Sequence, residues 1–211
     1  MSREPNGRPR ATYAGPMSSS GSQAKSALRD QLLTARARRS LLEVGEAARA
    51  IAAHLLAHPE VRRAATVAAY VSIGTEPGTG ALLDALAAAG KRVILPVVQP
   101  DNDLDWALYQ GSALLEPAGR GLLEPGGRRL GVEAVAGADV VLVPGLAVAV
   151  DGTRMGRGGG SYDRALARVP VGTFTCVLLY DDERLAGVPH EPHDLAVRAA
   201  ATPAGITLFP G

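Results

Sequence analysis

The segment 139–168 constrains the fold of this chain more than any other. It begins with an apolar run at 139–150, which is typical of a strand that is buried on both faces of a sheet. A loop with four glycines in five positions follows at 156–160, and 162–168 is predicted as a short helix that ends before Pro170. A strand, a glycine loop and a helix in this order indicate the phosphate site of an α/β protein.

The glycine cluster has two interpretations. One is a cradle of backbone N–H groups around an anionic phosphate, and the other is a mobile turn. Two familiar phosphate motifs are absent from the sequence. A P-loop requires a lysine directly after its last glycine, whereas Ser161 follows Gly160. The dinucleotide pattern G-x-G-x-x-G, started at Gly156, requires a glycine at position 161.

The rest of the chain alternates strand and helix patterns. Helices are predicted at 23–38, 40–57 and 80–89, and strands at 64–71, 92–98, 104–110, 173–180 and 197–202. We therefore expect an α/β protein with a single-domain, three-layer Rossmann-like fold, in which helices cover both faces of a mostly parallel sheet. The alternating strand 104–110 should pair back on its predecessor as a hairpin, and the irregular connection 111–137 is a candidate wall of a site.

Two details of the helices are predicted as well. Ser40 and Glu43 match a capping box that starts the second helix. On the first helix, apolar residues define one face and basic residues lie near another. The apolar residues are Leu28, Leu32 and Ala35, and the basic residues are Lys25, Arg29 and Arg36.

Composition excludes several classes of protein. The chain has 211 residues and a net charge of +1, which argues against nucleic-acid binding by bulk electrostatics. Its one cysteine, Cys176, excludes an internal disulfide and is expected to be an inert buried thiol. The sequence has neither a membrane-spanning apolar run nor a secretory signal. We therefore expect a cytoplasmic protein with a disordered leader at 1–22, for which an organellar transit segment is the alternative, and a domain at 23–211.

Four candidate ligand-binding residues each have a structural alternative. Glu76, in a loop after a strand, could accept hydrogen bonds from an amino-heterocycle or be merely solvated. Asp163, in the first turn of a helix, suits either the helix dipole or Mg²⁺. Lys25 and Arg29 are four residues apart and could reach an anion together or form a solvated basic face.

The late segment His190-Glu-Pro-His-Asp194 concentrates potential metal ligands. Zn²⁺ would need further histidine or cysteine ligands, which the sequence does not offer nearby. A single oxygen ligand for Mg²⁺ at Asp194 is the simpler hypothesis. A polar surface loop is the alternative.

Together these segments resemble the 5-formyltetrahydrofolate cyclo-ligase family. The matching segments are Lys25-Ser-Ala-Leu-Arg29, Glu76-Pro-Gly-Thr79, Gly121-Leu-Leu-Glu124-Pro125, the signature from Pro144-Gly145 to Asp163, and His193-Asp194. The resemblance extends from about Lys25 to the C-terminus. The chain departs from the family pattern at four positions. They are Val148 and Ala149 in place of Phe-Asp, Met155 in place of Leu, and Ser161 in place of the first Tyr, which removes one aromatic wall.

The resemblance implies an ATP- and Mg²⁺-dependent enzyme of one-carbon metabolism. Its reaction is the cyclisation of 5-formyltetrahydrofolate to 5,10-methenyltetrahydrofolate, with phosphorylation of the formyl oxygen, attack by N10, and release of ADP and phosphate. The substrate is then a small molecule, including its polyglutamylated forms, and the enzyme is a monomer with neither a nucleic-acid nor a membrane partner.

The resemblance also implies roles for individual residues. Lys25 and Arg154 are the catalytic cations, Glu76, Trp106 and Tyr162 bind the folate, and Asp163 and Asp194 hold Mg²⁺. Core packing is the alternative for Trp106. The implied ATP site consists of Lys25, Ser26, Ala27, Leu28, Arg29, Arg154, Met155, Gly156, Arg157, Gly158, Gly159, Gly160, Ser161 and Tyr162.

Two other functions remain open from the residues alone. One is an ATP-independent α/β enzyme, related to sugar-phosphate isomerases or CoA transferases, with a carboxylate as base or nucleophile. The other is a folate- or nucleotide-binding module without catalysis.

Overall fold

A seven-stranded sheet forms the centre of the protein in a computed structural model, which describes residues 19–191 and 194–210. The helices are α1 (Ser19–Ala37), α2 (Leu41–Ala57), α3 (Pro59–Arg63), α4 (Gly80–Ala88) and α5 (Ser161–Ala167). The strands are β1 (Thr66–Ala68), β2 (Arg92–Val98), β3 (Leu104–Leu108), β4 (Leu115–Pro117), β5 (Leu123–Pro125), β6 (Val140–Pro144), β7 (Ala147–Ala149), β8 (Arg154–Met155), β9 (Phe174–Leu178), β10 (Arg184–Leu185), β11 (Ala199–Thr202) and β12 (Gly205–Leu208).

The strand order of the main sheet is β12-β11-β9-β6-β1-β2-β3. Five central strands are parallel, from β11 to β2, and the two edge strands are antiparallel to their neighbours. The α/β class with a mostly parallel sheet is thus confirmed. The predicted hairpin is also present, because β3 pairs with β2 in a register that places Trp106 opposite Pro96.

Alternate residues of the central strands point to opposite faces of the sheet, as strand geometry requires. On β1, Val67 belongs to a core cluster with α2 and α4, whereas Ala68 belongs to a second cluster with α5. Helices therefore pack on both faces. Ile51, Leu55 and Leu83 fill the first core from the helix side and are at most 1% exposed. Cys176 lies in this core, as predicted, and its burial raises the pKa of the thiol.

A second, three-stranded sheet, in the order β10-β7-β8, lies under α1. The prediction of one continuous strand at 139–150 is wrong, because the chain leaves the main sheet after β6 and enters this small sheet as β7. Gly145 lies at the transition. A Cβ atom there would be 2.5 Å from Cγ2 of Val177, so the close approach to β9 requires glycine.

The predicted faces of α1 are also corrected. Lys25, Leu32 and Arg36 are buried together, whereas Ala35 is exposed. The inward stripe is thus largely basic, because residues spaced by three and four positions share one side of a helix. The capping box of α2 is confirmed, since Ser40 and Glu43 exchange side-chain and backbone hydrogen bonds.

Several boundaries differ from the predictions. Strand β1 is shorter than 64–71, and the connection 111–137 contains the hairpin of β4 and β5. Strand β12 and helix α3 lacked a clear periodic pattern and were not predicted. Residues 1–18 of the predicted leader lie outside the described residues, and 19–22 are helical. Within the described residues, every helix is too short or too polar to traverse a bilayer.

Candidate ligand-binding cleft

A cleft of about 580 Å³ opens where β1, β2 and β6 end. Ligands bind at this carboxyl edge in open α/β sheets, because the loops that follow the strands converge there. Three of its lining residues, Tyr70, Val98 and Gly145, lie at the ends of these strands or directly after them. Its charged lining residues are Lys25, Arg29, Glu76, Arg120, Glu124, Arg154, Arg157, Asp163, Glu191 and Asp194.

The glycine loop forms one wall of the cleft, between β8 and α5. Gly158 has a φ of +97°, and Gly160, which precedes the first residue of α5, has a φ of +69°. These left-handed conformations are costly for residues with a Cβ atom, so the loop requires glycine at both positions. Left-handed residues in a short glycine loop are a common feature of backbone anion sites.

Helix α1 brings two cations to this wall. The Nε atom of Arg29 donates a hydrogen bond to the carbonyl of Gly156 over 3.1 Å. Lys25 is only 5% exposed, and its Nζ atom lies 2.5 Å from Asp194 Oδ2 and 3.1 Å from Glu191 Oε2. The solvated alternative for the basic pair is therefore excluded, since Lys25 is buried and Arg29 contacts the loop.

Arg154 lies beneath the glycine loop and is 4% exposed. Its Nη2 atom donates to Asp163 Oδ1 over 2.7 Å, and its Nη1 atom donates to the carbonyl of Pro144 over 3.2 Å. Its Nε atom is buried without a hydrogen-bond partner among the described residues. A buried donor without a partner is costly, so the burial of Arg154 is only partly offset by its contacts with Asp163 and Pro144.

Glu76 is buried, at 5% exposed, and is not the solvated loop residue of the alternative interpretation. Its Oε2 atom accepts from the backbone N–H of Ile73 over 3.0 Å. Its Oε1 atom accepts from Nε of Arg157 over 3.2 Å, and Arg157 is 45% exposed at the cleft. This ion pair joins the loop after β1 to the glycine loop.

Two tyrosines, Tyr70 and Tyr162, also line the cleft. Burial is the main cause that raises the pKa of each phenol, and the negative charge of Glu76 raises it further. Both phenols are therefore neutral at physiological pH and can donate a hydrogen bond. The hydroxyl of Tyr70 has no hydrogen-bond partner among the described residues. Tyr70 was missed in the sequence, because the predicted strand 64–71 included it, whereas β1 ends at Ala68 and leaves Tyr70 at the carboxyl edge of the sheet.

Comparison with known proteins gives this cleft a context. The sequence model of the 5-formyltetrahydrofolate cyclo-ligase family matches residues 21–203. The chain belongs to this family. It is 42% identical over 143 residues to the 5-formyltetrahydrofolate cyclo-ligase of Mycolicibacterium smegmatis, covering 65% of this chain and 73% of that protein. It is 31% identical over 172 residues to the Escherichia coli K12 enzyme of the same name, covering 78% and 90%.

A solved structure agrees with the family assignment. The fold is similar to that of 5,10-methenyltetrahydrofolate synthetase from Aquifex aeolicus, with a TM-score of 0.77 and 27% identity, covering 89% of this chain and 93% of that one. The synthetase from Mycoplasma pneumoniae has the same fold, with a TM-score of 0.67 at 20% identity, covering 85% and 98%.

The cleft of this cyclo-ligase does not include every residue of the implied site. Ser161 lines it at the start of α5, next to Tyr162. Trp106 is 1% exposed in the core and does not line the cleft, so core packing describes its position. Four residues of the implied ATP site also lie off the cleft lining. Ser26 and Ala27 are exposed, and Leu28 and Met155 pack in the core under α1.

The implied Mg²⁺ ligands of the cyclo-ligase are both in ion pairs. Asp163 pairs with Arg154, and Asp194 pairs with Lys25. Within 19–191 and 194–210, the structure holds no group of three potential metal ligands, and His193 lies outside the described residues. The donor set does not fit a resident metal such as Zn²⁺. It fits a Mg²⁺ ion that arrives on a nucleotide, because such an ion needs only one or two protein carboxylates.

The hairpin of β4 and β5 contributes a wall that sequence reasoning only located roughly. Arg120, Leu122, Leu123 and Glu124 line the cleft from it. Glu124 anchors the hairpin, because its Oε1 atom accepts from the backbone N–H of Val98 over 2.9 Å. The expectation that 111–137 forms a wall of the site is confirmed for this part. Family-like residues 121–125 were the usable signal.

Proposed function

We propose that this cyclo-ligase binds ATP and 5-formyltetrahydrofolate in the one cleft and transfers the γ-phosphoryl group to the formyl oxygen. The bond between the γ-phosphorus and its bridging oxygen breaks, and ADP leaves. The lone pair of N10 then attacks the formyl carbon, N10 loses its proton, and the carbon–oxygen bond breaks with release of phosphate. The product is 5,10-methenyltetrahydrofolate, in agreement with the family to which the chain belongs.

The physical reason for the phosphorylation is the poor leaving ability of a formamide oxygen. Phosphate is a far better leaving group, so its transfer makes the ring closure feasible. Phosphoryl transfer requires mainly positioning and charge stabilisation and does not need a protein nucleophile. Five cationic side chains line the cleft, and four of them lie in or near the glycine loop: Lys25, Arg29, Arg154 and Arg157.

In the proposed complex, the glycine loop and the cations of α1 hold the phosphates of ATP. Arg29 is already bonded to the loop, and the unpartnered Nε atom of Arg154 gains an acceptor. Lys25 exchanges part of its contact with Asp194 for a phosphate oxygen. A Mg²⁺ ion bound with the nucleotide would offset phosphate charge, with Asp163 and Asp194 as its protein ligands.

The proposed folate site lies beside the phosphates. Glu76 is placed to orient the pterin or the formyl-bearing nitrogen, since it lines the cleft next to Arg157 of the glycine loop. Tyr162 lines the cleft directly after the loop and offers a neutral phenol. Apolar side chains for the flat part of the substrate come from Val98, Leu104 and Leu122.

One observation carries the proposal: the glycine loop, with its left-handed residues, shares a single cleft with Lys25, Arg29 and Arg154. The test is to mix purified protein with 5-formyltetrahydrofolate and Mg·ATP and to follow the absorbance of the methenyl product. We expect product and ADP in equal amounts and no product without ATP. Turnover of a ligand without ATP would favour an isomerase or transferase, and binding without turnover a non-catalytic module.

We further propose that the enzyme acts in the cytoplasm as a monomer, with neither nucleic acid nor membrane as a partner. A net charge of +1 supports the part that concerns nucleic acid. The measurement is the molar mass in solution by light scattering, with and without both substrates. A dimer at micromolar concentration would contradict the proposal.

A further inference from the structure

We propose that Arg120, at the tip of the hairpin of β4 and β5, binds the glutamyl carboxylate at the tail of the folate substrate. This inference rests on the proposed function, because it names the part of the substrate that one wall of the cleft receives. The hairpin tip spans 118–122, where the backbone N–H of Ala118 donates to the carbonyl of Leu122. Arg120 lies at its centre and lines the cleft.

The charge of Arg120 is not offset within the part of the chain that the structure describes. The ion pairs there include Lys25 with Asp194, Arg154 with Asp163, and Arg157 with Glu76. No described carboxylate lies within ion-pair distance of Arg120, whose Nη1 atom donates only to the neutral amide oxygen of Asn102 over 3.0 Å. An arginine in a cleft with a neutral partner is free to accept an anion.

Arg29 is the other cation of the cleft that pairs with no described carboxylate, and it has a different location. Its side chain reaches from α1 to the glycine loop, where its Cζ atom is 3.3 Å from the position that a Cβ atom on Gly158 would take. Arg120 instead stands over the wall formed by the end of β2, the start of β3 and the hairpin. The two substrates of the proposed reaction each carry anionic groups, phosphates on one and carboxylates on the other. We assign the first to Arg29 and the second to Arg120.

The neighbours of Arg120 suit the part of the folate that precedes the carboxylate. Val98, Leu104, Leu122 and Leu123 line the cleft beside it. Apolar side chains pack against the flat aminobenzoyl ring, and the adjoining carboxylate then reaches the rim of the cleft. A guanidinium group matches a carboxylate with two parallel hydrogen bonds.

The backbone of Arg120 adds a second argument. Its φ is +62°, a left-handed conformation that is unfavourable for a residue with a Cβ atom, and glycine or asparagine is preferred at such a position. Gly119 and Gly121 flank it in the sequence. Substitution by asparagine thus removes the guanidinium group while it suits the backbone.

The experiment compares Arg120→Asn with the wild type on 5-formyltetrahydrofolate and on the primary amide of 5-formyltetrahydropteroate, which lacks the glutamate and carries no carboxylate. For the wild type, we expect the KM to be about 10-fold higher for the substrate without the tail, the size expected for a charge-assisted contact. For Arg120→Asn, both substrates should have this higher KM, with the KM for ATP and kcat nearly unchanged. Arg128→Asn is the matched control, since Arg128 is exposed on the same connection and does not line the cleft.

Two outcomes would overturn the assignment. A raised KM for ATP in Arg120→Asn would place the residue at the nucleotide. If the ratio of the KM values for the two folates is the same in Arg120→Asn as in the wild type, contact with the tail is excluded. Neither result bears on the proposed function, which fails only if the wild type does not turn over. Far-ultraviolet circular dichroism of each variant checks that the fold is retained.

Discussion

Gly158 is the residue at which the backbone conformation and the proposed function are most tightly linked. Its φ of +97° is unfavourable for any side chain, and a Cβ atom there would lie 3.3 Å from Cζ of Arg29. A substitution would therefore strain the loop and displace the arginine that contacts it. The loop lies at the surface of the cleft and contributes little to the core, so the fold should tolerate the change.

We expect Gly158→Val to weaken ATP binding by about 10-fold or more, since a left-handed residue costs ~1–2 kcal/mol even before the contact with Arg29 is disturbed. Isothermal titration calorimetry with Mg·ATP measures the effect. The control is Gly137→Val, because Gly137 has open space around its Cβ position and an ordinary φ. Equal nucleotide affinity in the two variants would contradict the role of the loop.

Asp163 is the second single residue for which we make a prediction, because its carboxylate neutralises the guanidinium of Arg154 beneath the loop. We expect Asp163→Asn to lower kcat and to raise the Mg²⁺ concentration needed for half-maximal rate, so that excess Mg²⁺ restores part of the activity. Steady-state rates over a Mg²⁺ titration measure this. If the Mg²⁺ dependence is unchanged while the rate falls, Asp163 acts only by holding Arg154.

At the scale of elements, α1 is joined to the rest of the protein by a buried ion pair. Arg36 donates from Nε and Nη2 to the two carboxylate oxygens of Glu183, over 2.6 Å and 2.7 Å. Its Nη2 atom also donates to the carbonyl of Gly145 over 2.7 Å. The same helix carries Lys25 and Arg29, so the pair sets the position of both cations over the cleft.

The ring of Tyr180 extends this junction to the loop after β1. The guanidinium of Arg39 lies 3.9 Å from the ring centroid, a cation–π contact. The hydroxyl of Tyr180 donates to the carbonyl of Thr75 over 3.0 Å, directly before Glu76. The C-terminal end of α1 and the turn after it thus help to position the buried carboxylate of the cleft as well as the cations.

We expect Arg36→Met to reduce the free energy of unfolding by about 3–5 kcal/mol, because it leaves Glu183 buried without its cation. The double variant Arg36→Met with Glu183→Leu should be less destabilised than the single one, since no unpaired charge remains. Urea denaturation measures both. Arg63→Met is the control, because its ion pair with Glu60 is exposed and should contribute less than about 1 kcal/mol.

A single variant Arg36→Met that is as stable as the control would contradict the importance of this pair. The Nη1 atom of Arg36 is buried without a described hydrogen-bond partner, so the desolvation of the guanidinium has a cost that the contact with Glu183 must offset. Loss of the pair should also raise the KM for ATP, because α1 would lose the anchor that aligns Lys25.

At the scale of the whole molecule, the cleft is lined by residues of α1, of α5 and of the ends of β2 and β3. Arg168, on the C-terminal side of α5, joins this helix to β3. Its Nη1 and Nη2 atoms donate to the two oxygens of Asp103, at the start of β3, over 2.8 Å and 2.6 Å. These hydrogen bonds are the main cause that lowers the pKa of Asp103.

The sign of the pH dependence follows from this direction. A carboxyl whose pKa is lower in the folded than in the unfolded state stabilises the fold above its unfolded pKa, about 3.9 for aspartate. That contribution is lost as the pH falls through the lowered folded pKa. We expect the free energy of unfolding of the wild type to fall below about pH 4, and the fall to be smaller in Asp103→Asn.

Urea denaturation between pH 7 and pH 3 tests this expectation. Glu133→Gln is the control, because Glu133 also pairs with Arg168 but its side chain is 76% exposed and its contact is screened by water. If the free energy of unfolding falls equally steeply with decreasing pH in the wild type and in Asp103→Asn, other carboxyls control the stability at low pH.

How much of the structure could be predicted from the sequence depends on how far apart in the chain the interacting residues lie. Three features were predictable: the strand Arg92–Val98, the helix that follows the glycine loop, and the capping box at Ser40. Each depends on local periodicity or on residues three apart. The carboxyl-edge rule located Glu76, and the first turn of the helix after the glycine loop located Asp163. The burial of Glu76 and the pairing of Asp163 with Arg154 were not predictable, since each depends on contacts between distant segments.

The amino-acid sequence by itself determined six of the seven strands of the main sheet, the glycine loop and the family of this protein, because these depend on short-range patterns. Tertiary structure alone decided that Arg36 is buried against Glu183, 147 positions away, and that Lys25 meets Asp194. The same holds for the hairpin that brings Arg120 to the cleft. Such contacts depend on how the parallel sheet and its crossovers bring remote segments together, and local propensity does not encode that geometry.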